Sequence, residues 1–210
     1  MLGGGRRRED TGRAGAASGR GARADLLAVG LANPGADYVG TRHNVGAEAV
    51  GLLAERHGAR LKSAVGRALS AQVHHPDGLL VLAVPGVFMN LSGETVAPLV
   101  RRYCPDDPAR LVVVHDELDL APGRIQVKVG GGLAGHNGLK SIKAHIHTAD
   151  FLRVRIGVGR PPGRQSGADY VLRRPGKADR VELDLAVADA ADAVEAILTG
   201  GPERAMNRFN

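Results

Sequence analysis

Four of the six asparagines in the chain (Asn33, Asn44, Asn90 and Asn137) stand in glycine-bearing segments beside expected strand ends or helix starts. The segments read N33-P-G-A-D-Y-V-G-T-R-H-N44, G86-V-F-M-N90-L-S-G93 and G130-G-G-L-A-G-H-N137-G138. An amide side chain offers a donor and an acceptor without a charge, so a ring of amides can hold a peptide backbone or a developing oxyanion. A single Asn in such a place usually supports a turn or a cap. Recurrence beside glycine in three segments points instead to one crevice at the carboxyl ends of strands, where open α/β sheets bind ligands.

His43 follows Asn33 by ten residues, at a loop-to-helix junction, and H115-D-E-L-D119 leaves a buried apolar run with three acids in four positions. An acid at a strand end beside a histidine at a helix start is the orienting-and-base half of a hydrolytic site. The carboxylate would fix the imidazole tautomer and raise its basicity, leaving the other nitrogen to take a proton from water. The competing reading makes His43 a cap of the helix from Val45 and the acids solvated loop residues; spacing alone leaves both open.

No covalent nucleophile is indicated. There is no G-x-S-x-G elbow, and Cys104, beside Pro105, reads as an inert thiol. As the sole cysteine it excludes an internal disulfide and suits a reducing compartment. His74-His75 and His145-x-His147 lack a third ligand at useful spacing, so no metal is expected. Gly130-x-Gly132-x-x-Gly135 matches a dinucleotide loop, but the strand after it ends in Gly159-Arg160 rather than an acid. A nucleotide-binding oxidoreductase rests on that pattern alone, and no nucleotide cofactor is expected. The same glycines allow close approach to a backbone, and Lys128, Lys140, Lys143, Arg153 and Arg155 around them would form a phosphate-binding surface if they share a face.

The elements that must position these residues alternate between strand and helix. Leu26–Leu31 and Leu111–Val114 read as buried strands, and Ile125–Val129 and Leu152–Val158 as alternating ones. Ala68–His74 and Leu79–Val84 flank a hairpin turn at Pro76-Asp77-Gly78. Helices are expected over Val45–His57, from a Ser92 cap to Tyr103, over Gly138–Ile146 and Val181–Leu198, with a short last one from Pro202. The pattern predicts a single α/β domain over 24–210, with a mixed, mostly parallel twisted sheet flanked by helices on both faces. Residues 1–23, rich in Gly, Ala and Arg, read as a disordered extension. A transit peptide is the alternative reading, which would send the protein to a mitochondrion or plastid rather than the cytoplasm.

Composition narrows the partners. The 210 residues hold 28 Lys and Arg against 22 Asp and Glu, a formal charge of +6. Residues 122–180 carry twelve of the bases against Asp150, Asp169 and Asp179, a local +9, whereas 181–199 hold five acids and no base. A patch of this kind suits one polyanion bound in one place. Aromatics at 3% with no Trp argue against a base-stacking platform. No run of eighteen apolar residues occurs, so no membrane-spanning helix is expected.

Taken together, G30-L-A-N-P-G35, Y38-x-x-T-R-H-N44, F88-M-N-L-S-G93, H115-D-E-L-D119, G130-G-G-x-x-G-H-N-G-L-K140 and R153-V-R-I-G-V-G159 resemble the bacterial-type peptidyl-tRNA hydrolase family. They span about 130 residues in the family's order. The resemblance implies hydrolysis of the ester joining a peptide to the 3′ end of tRNA, by a monomer needing no metal or cofactor. It implies His43 as general base with Asp116 as its partner, and Asn33, Asn90 and Asn137 around the peptide and terminal ribose. Phe88 and Met89 would sit beside Asn90 against the substrate, Tyr38 would line the same crevice, and Lys128 and Arg155 would face the tRNA phosphate. A non-catalytic RNA-binding protein on the same fold is the rival. Leu133 and Ala134 depart from the family's pattern, which has a polar residue and a glycine in many relatives.

Overall fold

The computed structural model describes residues 22–210, so the expected extension at 1–23 lies almost wholly outside the described residues. Leu26–Gly30 (LLAVG) is apolar or small throughout, and a strand without a polar face must be covered on both sides. It forms β1 and pairs in parallel with β4 (Gly78–Pro85) and β5 (Leu111–Glu117). Beyond β5 lie β7 (Leu152–Gly157), parallel to it, and β6 (Ile125–Val129), antiparallel to β7. On the other side β3 (Ala68–His75) joins β4 as a hairpin through the expected turn, and β2 (Lys62–Ala64) closes the edge. The sheet order is β2-β3-β4-β1-β5-β7-β6, a four-stranded parallel centre with antiparallel margins.

Helices cover both faces. α1 (Val45–Arg56) and α5 (Lys177–Phe209) bury Val45, Ala49, Leu53, Ala190 and Val194 against Leu26, Ala28, Val112, Val114 and Val154. α2 (Ser92–Tyr103) and α3 (Asn137–Ile146) bury Val96, Leu99, Leu139 and Ile142 against Leu27, Val29, Val113 and Phe151. Alternate residues of β1 thus serve the two faces, as the pleat requires. α5 breaks at Gly201, whose φ of 79° interrupts the helix just before Pro202, so the last piece begins where expected. Ser92 opens α2 but does not cap it; its hydroxyl donates back to the Met89 carbonyl.

Two details of register create the crevice. The last β1–β5 partners are Gly30 and Val114, while β5 continues beside β7 as far as Glu117. His115, Asp116 and Glu117 therefore have a strand neighbour on one side only, beyond the end of β1. α1 then descends directly onto these strand ends. A Cβ on Gly46 would lie 2.2 Å from the Val114 carbonyl oxygen, and one on Gly30 would lie 2.3 Å from the Gly46 oxygen. Only glycine lets the backbones approach this closely, and the approach brings the turn before α1 over the end of β5.

Candidate active site

The loop from β1 to α1 is closed by one side-chain amide, that of Asn44, on the backbone of Asn33. Asn44 Oδ1 accepts from the Asn33 backbone N–H at 2.9 Å, and Asn44 Nδ2 donates to the Asn33 carbonyl at 3.0 Å. Asn44 is thus buried and structural, with both ends of its amide spent on the Asn33 backbone. The clamp holds the short 3₁₀ turn Arg42–Asn44, and His43 at its middle meets Asp116.

His43 Nδ1 lies 2.8 Å from Asp116 Oδ1, and His136 Nε2 lies 3.0 Å from the same oxygen. Asp116 is 3% exposed and His43 12%. Burial pushes the Asp116 carboxyl up, but the two imidazoles and their hydrogen bonds outweigh it and hold the group well below the usual carboxylate range. Asp116 is accordingly ionised and accepts from both rings. His136 caps α3 with its own ring: Nδ1 accepts from the Gly138 and Leu139 amides at 3.1 and 3.4 Å. Its proton must then sit on Nε2 and point at Asp116. His43 likewise donates from Nδ1, and its Nε2, which makes no hydrogen bond to the described residues, is left for a water on the crevice side.

Ligand atoms of His43, Asp116 and His136 lie within 4.8 Å of one another, a grouping that could hold a metal ion. The tautomer argues against it. His136 Nδ1 is committed to two helix amides, so its metal-facing Nε2 carries the proton that a ligand nitrogen must lack. The arrangement is a hydrogen-bond relay ending at a free imidazole nitrogen.

His115 backs this relay. Its Nδ1–H donates to the Asp116 carbonyl at 2.7 Å, and its ring meets His136 edge-on at 4.9 Å between centroids. Complete burial, followed by the neighbouring His136, drives its pKa down to about 3, so it stays neutral. Burial also pushes the Cys104 thiol up to about 11, with Asp107 adding to the shift, which leaves it without nucleophilic character.

Around the relay opens a cavity of about 530 Å³ lined by Asn33, His43, Phe88, Met89, Asn90, Asp116, His136 and Asn137. All three asparagines of the expected ring face one space. Asn33 Oδ1 accepts from the Met89 amide at 2.7 Å, which ties the β1 and β4 loops together and turns its Nδ2 donor to the cavity. Tyr38 does not line the cavity; it packs edge-on against Phe88, which does, at 6.1 Å between centroids. The fourth wall is α4 (Gly167–Val171) with Leu172, a short helix capped by Ser166 Oγ on the Asp169 amide. Arg42 reaches back to it, stacked on Tyr170 at 4.1 Å and paired with Asp179 at 2.8 Å.

The expected phosphate surface divides. Lys128, Lys140 and Lys143 are exposed and form no salt bridge among the described residues. Arg155 is committed to Glu117, from Nε at 2.9 Å and Nη2 at 2.6 Å, and also donates to Gln126. Arg153 corrects the expectation outright. It is 2% exposed, and its guanidinium is spent on backbone carbonyls inside the protein, so no phosphate reaches it.

Residues 27–210 match the family model described as peptidyl-tRNA hydrolase. The chain belongs to the peptidyl-tRNA hydrolase family. Among curated relatives, peptidyl-tRNA hydrolase of Frankia alni is 52% identical over 184 residues, covering 88% of this chain and 93% of that protein. The Mycobacterium tuberculosis peptidyl-tRNA hydrolase is 47% identical over 186 residues, covering 88% and 97%. Among solved structures, the Acinetobacter baumannii peptidyl-tRNA hydrolase superposes with a TM-score of 0.82 at 36% identity, over 90% of this chain and 96% of that one.

Within this peptidyl-tRNA hydrolase fold, two contributors to the site are not evident from the sequence. His136 stands in the glycine segment without a local signal, because histidine is not among the residue types that usually cap a helix start. α4 is the second: S166-x-x-D169 is a helix-start pattern, but five residues carry too little apolar periodicity to reveal a helix.

Proposed function

We propose that this protein hydrolyses the ester between an N-blocked aminoacyl or peptidyl group and the 3′ end of tRNA, using a water activated by His43. The observation that carries this reading is the His43–Asp116–His136 relay opening on a cavity walled by three neutral amides. His43 Nε2 removes a proton from water as the oxygen attacks the ester carbonyl carbon. The imidazolium formed is stabilised by Asp116, whose charge is held in place by His136. The Asn33 Nδ2 donor is suited to the oxygen that gains charge in the tetrahedral intermediate. Collapse expels the ribose oxygen, which takes the proton back from His43. An ester is reactive enough for one water, one base and fixed dipoles, so no acyl-enzyme is needed.

Asn33, Asn90 and Asn137 also bear on selectivity. A free α-ammonium would lose its water against neutral amides, whereas an acylated nitrogen hydrogen-bonds to them. Lys128, Lys140 and Lys143 supply charge for the tRNA backbone, with Arg155 at the edge already balanced by Glu117. On this reading the protein acts as a monomer in the cytoplasm, where tRNA is charged and used. No described helix is long and apolar enough to cross a membrane.

The test is release of N-acetyl-aminoacyl groups from tRNA, with His43→Ala alongside and unblocked aminoacyl-tRNA as control. Hydrolysis of the blocked ester that the substitution abolishes supports the reading. Tight, salt-sensitive tRNA binding without turnover would replace it with a binding protein. Asn90→Ala should narrow the preference for blocked over unblocked substrate; an unchanged ratio removes the amide ring from the account of selectivity.

A further inference from the structure

Arg153 is the bulkiest of the fully buried side chains among the described residues. Burial, and Arg155 two positions along the strand, hold its guanidinium below its ordinary value, and a buried charge is costly unless its donors are taken. Among the described residues no carboxylate takes them, and Nε has no partner, so the two Nη groups carry the whole contact. Nη1 donates to the Gly132 carbonyl at 2.5 Å, and Nη2 to the Gly131 carbonyl at 2.9 Å and the Ala149 carbonyl at 3.4 Å. The Phe151 ring closes the far side at 5.0 Å.

Two of these carbonyls, those of Gly131 and Gly132, belong to the segment that crosses from the end of β6 to the head of α3, and the third, the Ala149 carbonyl, lies just before β7. That path is bent tightly: Gly131, Ala134 and Gly135 all have positive φ, at 97°, 46° and 78°. Ala134 holds a conformation that disfavours a side chain, so the surroundings must impose it. A hydrogen bond from the His136 amide to the carbonyl of Leu133, the residue after Gly132, at 2.9 Å, then links His136 to the end of the gripped stretch. A shift of Gly131 and Gly132 is therefore delivered to the ring that donates to Asp116.

We infer that Arg153 is a positioning residue for the reaction, its buried guanidinium setting the path of residues 130–135 and so aiming His136 at Asp116. The inference rests on the hydrolase reading of the site. It differs from a phosphate contact, which would act on tRNA affinity, and from a purely structural role, which would act on the folded fraction alone.

The experiment compares Arg153→Lys, Arg153→Met, His136→Ala and Arg153→Lys/His136→Ala with the wild type. kcat and KM for N-acetyl-aminoacyl-tRNA are measured across pH, with the ¹⁵N shift of the His136 imidazole and the unfolding temperature. Lysine keeps the charge but lacks the rigid planar fork that holds two carbonyls at fixed spacing. A lowering of kcat by about tenfold with KM nearly unchanged is expected, since small misplacements of a catalytic group cost up to about a hundredfold. The groups facing His43 are Asp116 from β5 and His136 from the head of α3; Arg42 beside it turns away to Asp179. With one donor fewer, Asp116 pulls harder on the His43 proton, so the acid limb of kcat should move to higher pH in Arg153→Lys, as in His136→Ala. The double variant should be no slower than His136→Ala alone. Wild-type kcat and limb in Arg153→Lys would overturn the inference, as would a raised KM at unchanged kcat, losses that multiply in the double variant, or failure of both Arg153 variants to fold. The His136 shift reads the Asp116 contact without turnover. A wild type that hydrolyses nothing would thus sink the hydrolase reading, while an unmoved shift in Arg153→Lys would sink the positioning role.

Discussion

Replacing Asp116 by asparagine keeps the acceptor oxygen that both imidazoles use and removes only its charge. The cost falls on the transition state, where His43 becomes an imidazolium. Charges about 4 Å apart at an effective dielectric near 20 attract by about 4 kcal/mol. The neutral amide oxygen still accepts the Nδ1–H and recovers part of this, leaving a loss of about 3 kcal/mol, or roughly a hundredfold in kcat. KM should change little, because the ground-state contacts of Asn33, Asn90 and Asn137 are untouched. The acid limb of kcat should move to lower pH, since the imidazolium is no longer favoured by a carboxylate. Initial rates of N-acetyl-aminoacyl release across about pH 5–8 test both, the window in which histidine ordinarily titrates. A loss below threefold, or a limb moving upward, would refute the orienting role of Asp116.

Other expectations follow from the same geometry. His115 is held at about 3 against 6.5 for the free group, so the unfolded chain binds the extra proton between those values. Its contribution to stability is fully present above about pH 6.5 and is lost as pH falls toward 3, at up to about 1.4 kcal/mol per pH unit. His115→Phe should flatten the fall in unfolding free energy across that window, and an unchanged slope would count against it. The depressed Asp116 carboxyl acts lower, its contribution lost only as pH drops below about 4. Gly46→Ala would press a methyl onto the Val114 carbonyl and should cost about 1–3 kcal/mol. In a chain of this size that lowers the melting temperature by several degrees, and kcat should fall with it as His43 shifts. Neutralising Lys128, Lys140 and Lys143 together should raise KM for the tRNA substrate and flatten its salt dependence by up to about three units of slope, with kcat held. Equal salt dependence would mean that tRNA lies elsewhere.

Much of the framework could be read from patterning. LLAVG and LVVV have no polar face, so each had to be a covered central strand, and Pro76-Asp77-Gly78 between two apolar runs had to be a hairpin. The helix break near Pro202 was visible because proline cannot continue a helix. β2 was not visible, because K62-S-A64 has no apolar alternation and exists only by pairing with β3. α4 was hidden for a similar reason, its position depending on Tyr170 and on Arg42, far away in sequence.

The amino-acid sequence by itself determined the residue types of the site: three amides beside glycine, a histidine before a helix and an acid at a strand end. Those follow from local rules of capping, turning and strand termination. Only the tertiary structure decided which of them meet. His43 and Asp116 are 73 residues apart, and they touch because Gly30 and Gly46 let α1 settle on the ends of β1 and β5. The same packing decided that His136 shares the carboxylate. It also decided that Arg153, indistinguishable in sequence from Arg155 or Lys128, faces inward: residue type reports charge, but burial and hydrogen-bond partners determine where the charge is spent.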